Sequence, residues 1–332
     1  MAQTASARPG THSLGNALPV ALGLLALGAA LRLFDPTRIT GVQNFLLVFA
    51  SLLIEAIPFI LLGAVVSALI EVFVPPRAFE RLARLPRPLQ LPAAGIAGLA
   101  FPVCECGSVP VARRLAAKGL APSAAVTFML AAPVLNPIVL ASTAVAYRGR
   151  AAMWTMVLGR AGLGLLAAMA VGWVVGGRSA SELLRARAPE GEHQHTEHEP
   201  RAAAFFGHLA GDFFFMGRYL VLGASVAAAL QTFVPQSIMG TVAGTPFIDL
   251  IALMGLAFLL SLCSESDAFV AASFVQFGIG PQLAFLVFGP MVDTKLGFLY
   301  SGTFNKGFLR TVVLVVGAVT LAGTLWIEVL AG

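Results

Sequence analysis

Nine stretches of this chain are apolar almost without interruption: residues 17–34, 43–74, 91–112, 122–147, 151–177, 205–234, 247–277, 281–303 and 308–330. About 20 such residues in a helix cross the hydrocarbon core of a bilayer, and most of these runs reach that length. Their apolarity is continuous rather than alternating, which predicts helices and not a transmembrane barrel. Only 11% of the 332 residues are charged, against roughly a quarter in soluble domains. The expected fold class is therefore an all-α, polytopic, integral membrane protein.

The charges that remain are placed rather than scattered. Arginines collect in short loops, which suits orientation in a bilayer and gives no nucleic-acid face. The three cysteines, Cys104, Cys106 and Cys263, are too few for a disulfide framework. No Gly-Lys-Ser/Thr accompanies any lysine, so no ATP-driven motor is expected in this chain. His-Glu-x-x-His and Gly-x-Ser-x-Gly are likewise absent. Nothing predicts an enzyme or a cofactor.

Residues 1–41 read as a tail and a first apolar run, Ala17–Phe34, either a transmembrane helix or a signal peptide with Arg8 in its basic region. The helix is the reading we adopt. Two membrane units then follow, 42–177 and 204–332, joined by a polar stretch at 178–203. That stretch carries His193, His195 and His198 among acids. It reads as a flexible cytoplasmic linker, with the histidines as a loose Zn or Cu site.

The two units resemble each other. A shift of 160 sets "PFILLGAVVSALIEVFVP" (58–75) on "RYLVLGASVAAALQTFVP" (218–235), with eight of eighteen positions identical, Gly63 and Gly223 among them. With small gaps Cys104 falls on Cys263, Ser108 on Asp267, Pro133 on Pro290 and Asn136 on Asp293. The basic loops at 75–90 and 113–118 both suit the cytoplasm, which requires segment 91–112 to enter the membrane and return on the same side. Loop 235–247 has no basic residue and suits the outside; only the small Arg148/Arg150 loop resists this arrangement. We therefore expect two inverted repeats, each with a re-entrant helical hairpin, framing a midplane site.

The hairpins hold the chemistry. In "FPVCECGSVP" (101–110), proline and glycine break the helix beside Cys104, Glu105 and Cys106. Backbone freed at that depth must be buried by protein or reached by water. Thiols there are soft ligands for thiophilic ions, although a Cys-x-Cys pair alone cannot close a tetrahedral structural zinc site. The partner segment "LLSLCSESDAFVA" (259–271) places Cys263, Glu265 and Asp267 in an apolar run, and ionisable groups at such depth point to function. Glu265, Asp267 and Glu55 are the candidate carriers of protons or ions. Two further interruptions, "AAPVLNP" (131–137) and "FGPMVDTK" (288–295), occupy matching positions. Pro133, Pro137 and Pro290 are expected to break the helices. Asn136 and Asp293 would bind the freed backbone or a substrate, and Lys295 would pair with Asp293. Arg218 offers Glu55 an ion-pair partner or snorkels to the interface. Asp212 reads as solvated at a membrane edge. Arg160 has no assigned partner.

The segment "FPVCECGSVPVARRLAAKGLAPSAAVTFMLAAPVLNPIV" (101–139), with its Pro-x-Cys-x-Cys-Gly and Ala-Pro-x-x-Asn-Pro elements, resembles the signature of the YraQ/ArsP-type predicted permeases. The resemblance runs from about residue 42 to 330 and includes "CSESDAFVA". It implies a multi-pass inner-membrane permease. Some members of that family export trivalent organoarsenicals, and cysteines take part in binding. That role would fall here on Cys104, Cys106 and Cys263.

The functional expectation is a secondary permease that exports a soft or thiol-reactive small solute, with Cys104, Glu105, Cys106, Cys263, Pro133, Asn136 and Asp293 lining its path. A divalent metal, or a small sulfur-containing anion drawn by Arg113, Arg114 and Lys118, is the alternative cargo. A non-transporting membrane subunit or sensor is the third class. The expected partners are the solute and the lipid bilayer; a homodimer is one assembly open to the chain.

Overall fold

A computed structural model of the chain describes residues 40–75, 86–100, 103–185, 200–233 and 246–331. The first apolar run and the three linker histidines lie outside these residues. By compactness the chain divides into two bodies, Met1–Leu47 and Val48–Gly332; the membrane units 42–177 and 204–332 are a division by sequence. Of the first body, only residues 40–47 are described, as the opening turns of a helix.

The helices come in a pattern that occurs twice. The first set is α1 (Thr40–Phe73), α2 (Arg87–Ala97), α3 (Glu105–Ala117), α4 (Pro122–Leu135), α5 (Pro137–Ala146) and α6 (Met153–Val175). A single turn, α7 (Ala180–Leu183), follows. The second set is α8 (Arg201–Phe233), α9 (Pro246–Leu260), α10 (Asp267–Ser273), α11 (Ile279–Phe288), α12 (Thr294–Thr303) and α13 (Phe308–Ala331). Each set opens and closes on a long helix with four short ones between. Among the described residues there is no β-strand beyond one isolated bridge, Leu184 to Phe304.

Five segments are long and apolar enough to cross a membrane: Gly41–Phe73, Pro122–Ala146, Met153–Val175, Arg201–Thr232 and Phe308–Ile327. Shorter apolar helices cover Pro88–Ala100, Phe247–Leu260 and Ile279–Phe288. The long helices are greasy outside as well as in. Ile54, Trp154, Leu158, Phe214 and Trp326 are all exposed, as lipid-facing side chains must be. The protein is an all-α membrane protein.

The short helices make the centre. Pro122–Ala146 is the most enclosed of the spans, packed between α2, α3 and α6. Contacts between the two sets are reciprocal: α3 packs on α12, and α10 packs on α5. The closing helices α6 and α13 also lie against each other.

Glycine lets α1 and α3 meet backbone to backbone. A Cβ on Gly63 would collide with Cα of Gly107, and one on Gly107 would lie 3.1 Å from Cα of Gly63. Gly223, at the matching place in α8, is equally tight: its Cβ would sit 2.7 Å from Cα of Lys295. Small residues at helix crossings are the usual route to close packing in lipid, where no hydrophobic driving force separates helix from solvent.

Two local expectations are corrected. Pro133 does not interrupt its helix, because α4 continues through it to Leu135. The interruption comes from Pro137, whose ring disfavours helical backbone in the residue before it. Asn136 accordingly sits at φ −50° and ψ 126°. Asp212 is not solvated: it is buried, accepts from Ser67 Oγ at 2.7 Å, and faces Arg114 at 3.4 Å. At 178–185 the start of the polar stretch is folded, with a capping box at Ser179 and Glu182, and Arg185 N donates to Thr303 O at 2.9 Å.

Gly63→Ala should lower the thermal unfolding temperature of the detergent-solubilised protein, corresponding to about 1–3 kcal/mol of overpacking. Gly162→Ala, which meets nothing within 4 Å, should leave it unchanged. Equal stability of the two variants would contradict the close crossing of α1 and α3.

Candidate functional site

Every helix break at the centre exposes polar backbone, and the nearby side chains show how it is satisfied. Asn136 caps α5 by accepting from Ile138 N at 3.0 Å. Asp293, at the matching place, caps α12 by accepting from Leu296 N at 2.6 Å. Of the two uses foreseen for them, binding the freed backbone is the one observed. Ser261, in the break after α9, holds a left-handed conformation at φ 47° without being glycine. Its hydroxyl accepts from Thr294 N at 3.0 Å and donates to Phe258 O at 3.1 Å. That bond ties the two breaks of the second set together.

The first turn of α3 brings in the thiols. Cys104 is the N-cap, Glu105 and Cys106 follow, and Ser108 N closes the turn on Cys104 O at 3.0 Å. A carboxylate at a helix N-terminus is favoured by the unsatisfied N–H groups there. All three residues are buried, as is Cys263 in the opposite break.

Glu105 reaches across the molecule. Its Oε2 accepts from Ser264 Oγ at 3.0 Å, and the same hydroxyl lies 3.4 Å from Glu265 Oε2. Its Oε1 has no hydrogen-bond partner and sits 3.9 Å from Lys295 Nζ. Lys295 Nζ is also 3.8 Å from Asp293 Oδ2. The expected pairing of Lys295 with Asp293 is therefore present, but the lysine is shared with Glu105. One carboxylate from the first set thus meets a hydroxyl, a carboxylate and an ammonium from the second.

A second charge pair was not legible as such in the sequence. Arg160, on α6 and fully buried, grips Asp267 with two hydrogen bonds of 2.8 Å. It also donates to Thr143 Oγ1 at 3.0 Å and to Ser264 O at 3.1 Å. An arginine in the middle of an apolar helix demands a partner at its own depth. The only signal was that demand, together with surplus acids in the other unit. Glu55, half-buried, accepts from Ser266 Oγ at 3.0 Å. Arg218 stacks over Phe215 and Tyr219, 4.8 and 5.1 Å from their ring centroids.

The structure thus gathers Cys104, Glu105, Cys106, Cys263, Glu265, Asp267, Asp293 and Glu55 around the facing breaks. Pro133 is buried within α4. Arg114 and Lys118, considered for an anion, are engaged elsewhere. Arg114 lies between Glu71 and Asp212, and Lys118 donates to Val74 O at 2.8 Å at the end of α1.

A family model described as a predicted permease, ArsP_1, matches residues 41–329. The chain belongs to this predicted-permease family. It is similar to the UPF0718 protein YcgR of Bacillus subtilis (strain 168), 39% identical over 286 residues, which is 85% of this chain and 96% of that protein. It is also similar to a protein of Streptococcus mutans serotype c (strain ATCC 700610 / UA159) named "Putative two-component membrane permease complex subunit". That match is 34% identical over 274 residues, 81% of this chain and 90% of the relative. No solved structure matches the chain. This member of the family is a membrane permease, multi-pass, in the bacterial plasma membrane.

Arg160→Met should destabilise the protein by about 3–5 kcal/mol by leaving Asp267 buried without its partner. The double variant Arg160→Met/Asp267→Leu should recover most of that loss in thermal unfolding. A double variant as unstable as the single one would contradict the pairing.

Proposed function

We propose that this permease is a secondary exporter of a soft, thiol-seeking small solute. In this reading two inverted repeats carry it between facing re-entrant hairpins. The observation that carries the reading is the shared cluster at the two breaks. Glu105 from one unit accepts from Ser264 of the other, with Cys104, Cys106 and Cys263 buried around them. Buried ionisable groups at interrupted helices are where such carriers bind their cargo.

Several features support the finer architecture. The helix pattern occurs twice, and the contacts between sets are reciprocal. Lys118, just past α3, donates to Val74 O just past α1, so the chain leaves both helices at one end. That is what a hairpin of α2 and α3 entering and leaving on one side requires. The basic loops flanking it then share the cytoplasmic face.

Within this scheme the thiols contact the solute, and trivalent organoarsenicals are its test case. Glu265 and Glu55, both half-buried, carry protons in exchange. Asp267 shares that polar line but is fixed in place by Arg160. Asn136 and Asp293 line the path while capping α5 and α12. The central charges do not suit a sulfur-containing anion, because acids outnumber bases around the breaks and the nearby Arg114 and Lys118 are engaged. The name of the Streptococcus relative suggests that the chain works beside a second membrane subunit.

Replacing Cys104 and Cys106 by serine should abolish the protein's resistance to trivalent organoarsenicals in a sensitised bacterium, at undiminished expression. Unchanged resistance would refute the thiol role. For the repeats, Ala117→Cys at the end of α3 and Gln276→Cys just past α10 sit in exposed, matching positions. In a background with the three native cysteines changed to serine, an impermeant maleimide should reach them from opposite membrane faces. Labelling from one face would rule out the inverted arrangement.

A further inference from the structure

We infer that Glu105, Cys263 and Glu265 form a binding site for a thiophilic divalent cation. The inference rests on the permease reading only in making that cation the cargo. One ligand atom from each of the three lies within 4.8 Å of the others. A zinc ion holds sulfur at about 2.3 Å and carboxylate oxygen at about 2.0–2.2 Å, so three donors spread around one ion stand roughly 3.4–3.8 Å apart. Side-chain rotations that bring these atoms about 1 Å closer draw the three groups around a single ion.

Charge argues the same way. Ser264 Oγ has one proton to donate, yet it faces both Glu105 at 3.0 Å and Glu265 at 3.4 Å. Two carboxylates drawn together away from water repel unless a proton or a cation joins them. Lys295 supplies some, but it is shared between Glu105 and Asp293. Three carboxylates against one ammonium leave two negative charges, and a divalent cation with the thiolate it creates reduces them to one. The neighbouring Asp267 does not alter this sum, because Arg160 neutralises it. Glu105 Oε1 is buried without a hydrogen bond, 3.9 Å from Lys295 Nζ, and so retains capacity to take a ligand.

The donor set selects the class of cation. One thiolate with two carboxylates suits zinc or cadmium, whereas magnesium and calcium prefer oxygen alone. Coordination releases the Cys263 proton to the surrounding buffer, since the thiolate is the ligand. Lys295 acts as a competing resident cation: it occupies the electrostatic role of the ion when none is bound.

The test uses the full-length protein in detergent, titrated with cadmium, and reads the ultraviolet thiolate-to-cadmium charge-transfer band. One equivalent should bind, with a tenfold excess of magnesium failing to displace it. Cys263→Ser should abolish the band, while Cys104→Ser and Cys106→Ser keep it. Glu265→Gln, a conservative change at a half-buried side chain, should weaken binding more than about tenfold. Lys295→Met should tighten it, an effect that general loss of structure would not produce. Absence of the band in the wild-type protein, its persistence in Cys263→Ser, or its loss in only the Cys104 and Cys106 variants would each overturn the site. Cadmium bound as described but not carried into proteoliposomes leaves the site standing and removes its role as the cargo site. Loss of organoarsenical resistance in the Cys104/Cys106 variant, with no cadmium bound by the wild type, does the reverse.

Discussion

Inside a bilayer an ionised side chain has no water to turn to, so its charge must be met by another side chain at the same depth. Placing an arginine or aspartate there alone costs about 2.5–3.5 kcal/mol even on the most lenient scale. Arg160 and Asp267 meet this demand with two short hydrogen bonds between the two units. Lys295 meets it less completely, shared between Glu105 and Asp293 at 3.9 and 3.8 Å. The first pair is a fixed strut. The second is a looser arrangement of charge, and the thiols lie beside it.

Backbone obeys the same rule. A helix that stops in the membrane leaves N–H groups without partners, and here Asn136 and Asp293 supply the missing acceptors. Ser261 and Thr294 bind one break to the other. The interruptions are therefore sealed by their own side chains, leaving the thiols and carboxylates as the polar groups turned toward one another. Close glycine crossings at Gly63 and Gly223 set the distances at which this is achieved.

Much of this was written in the residues. Continuous apolar runs gave the class. The punctuation of Pro, Gly, Cys and acid within them marked the breaks after Ala100 and Leu260 and at Asn136 and Asp293. What remained hidden was pairing. Nothing local distinguishes the lone Arg160 from a snorkelling arginine until Asp267, more than a hundred residues away, is seen against it. Asp212 failed for the same reason: its partners Ser67 and Arg114 belong to other helices. Pro133 misled because a proline already enclosed by packing can stay inside a helix, whereas Pro137 acts on the backbone of the residue before it. Periodicity and punctuation are local signals, and charge compensation is not.

The account stands on the two units being coupled through charge at their facing breaks. A double-mutant cycle on Glu105→Gln and Lys295→Met, read as unfolding free energy in bicelles, measures that coupling directly. An interaction energy of about 0.5–3 kcal/mol is predicted for a contacting pair. Strictly additive effects would mean that Glu105 and Lys295 do not sense each other, and that the two breaks do not share a site.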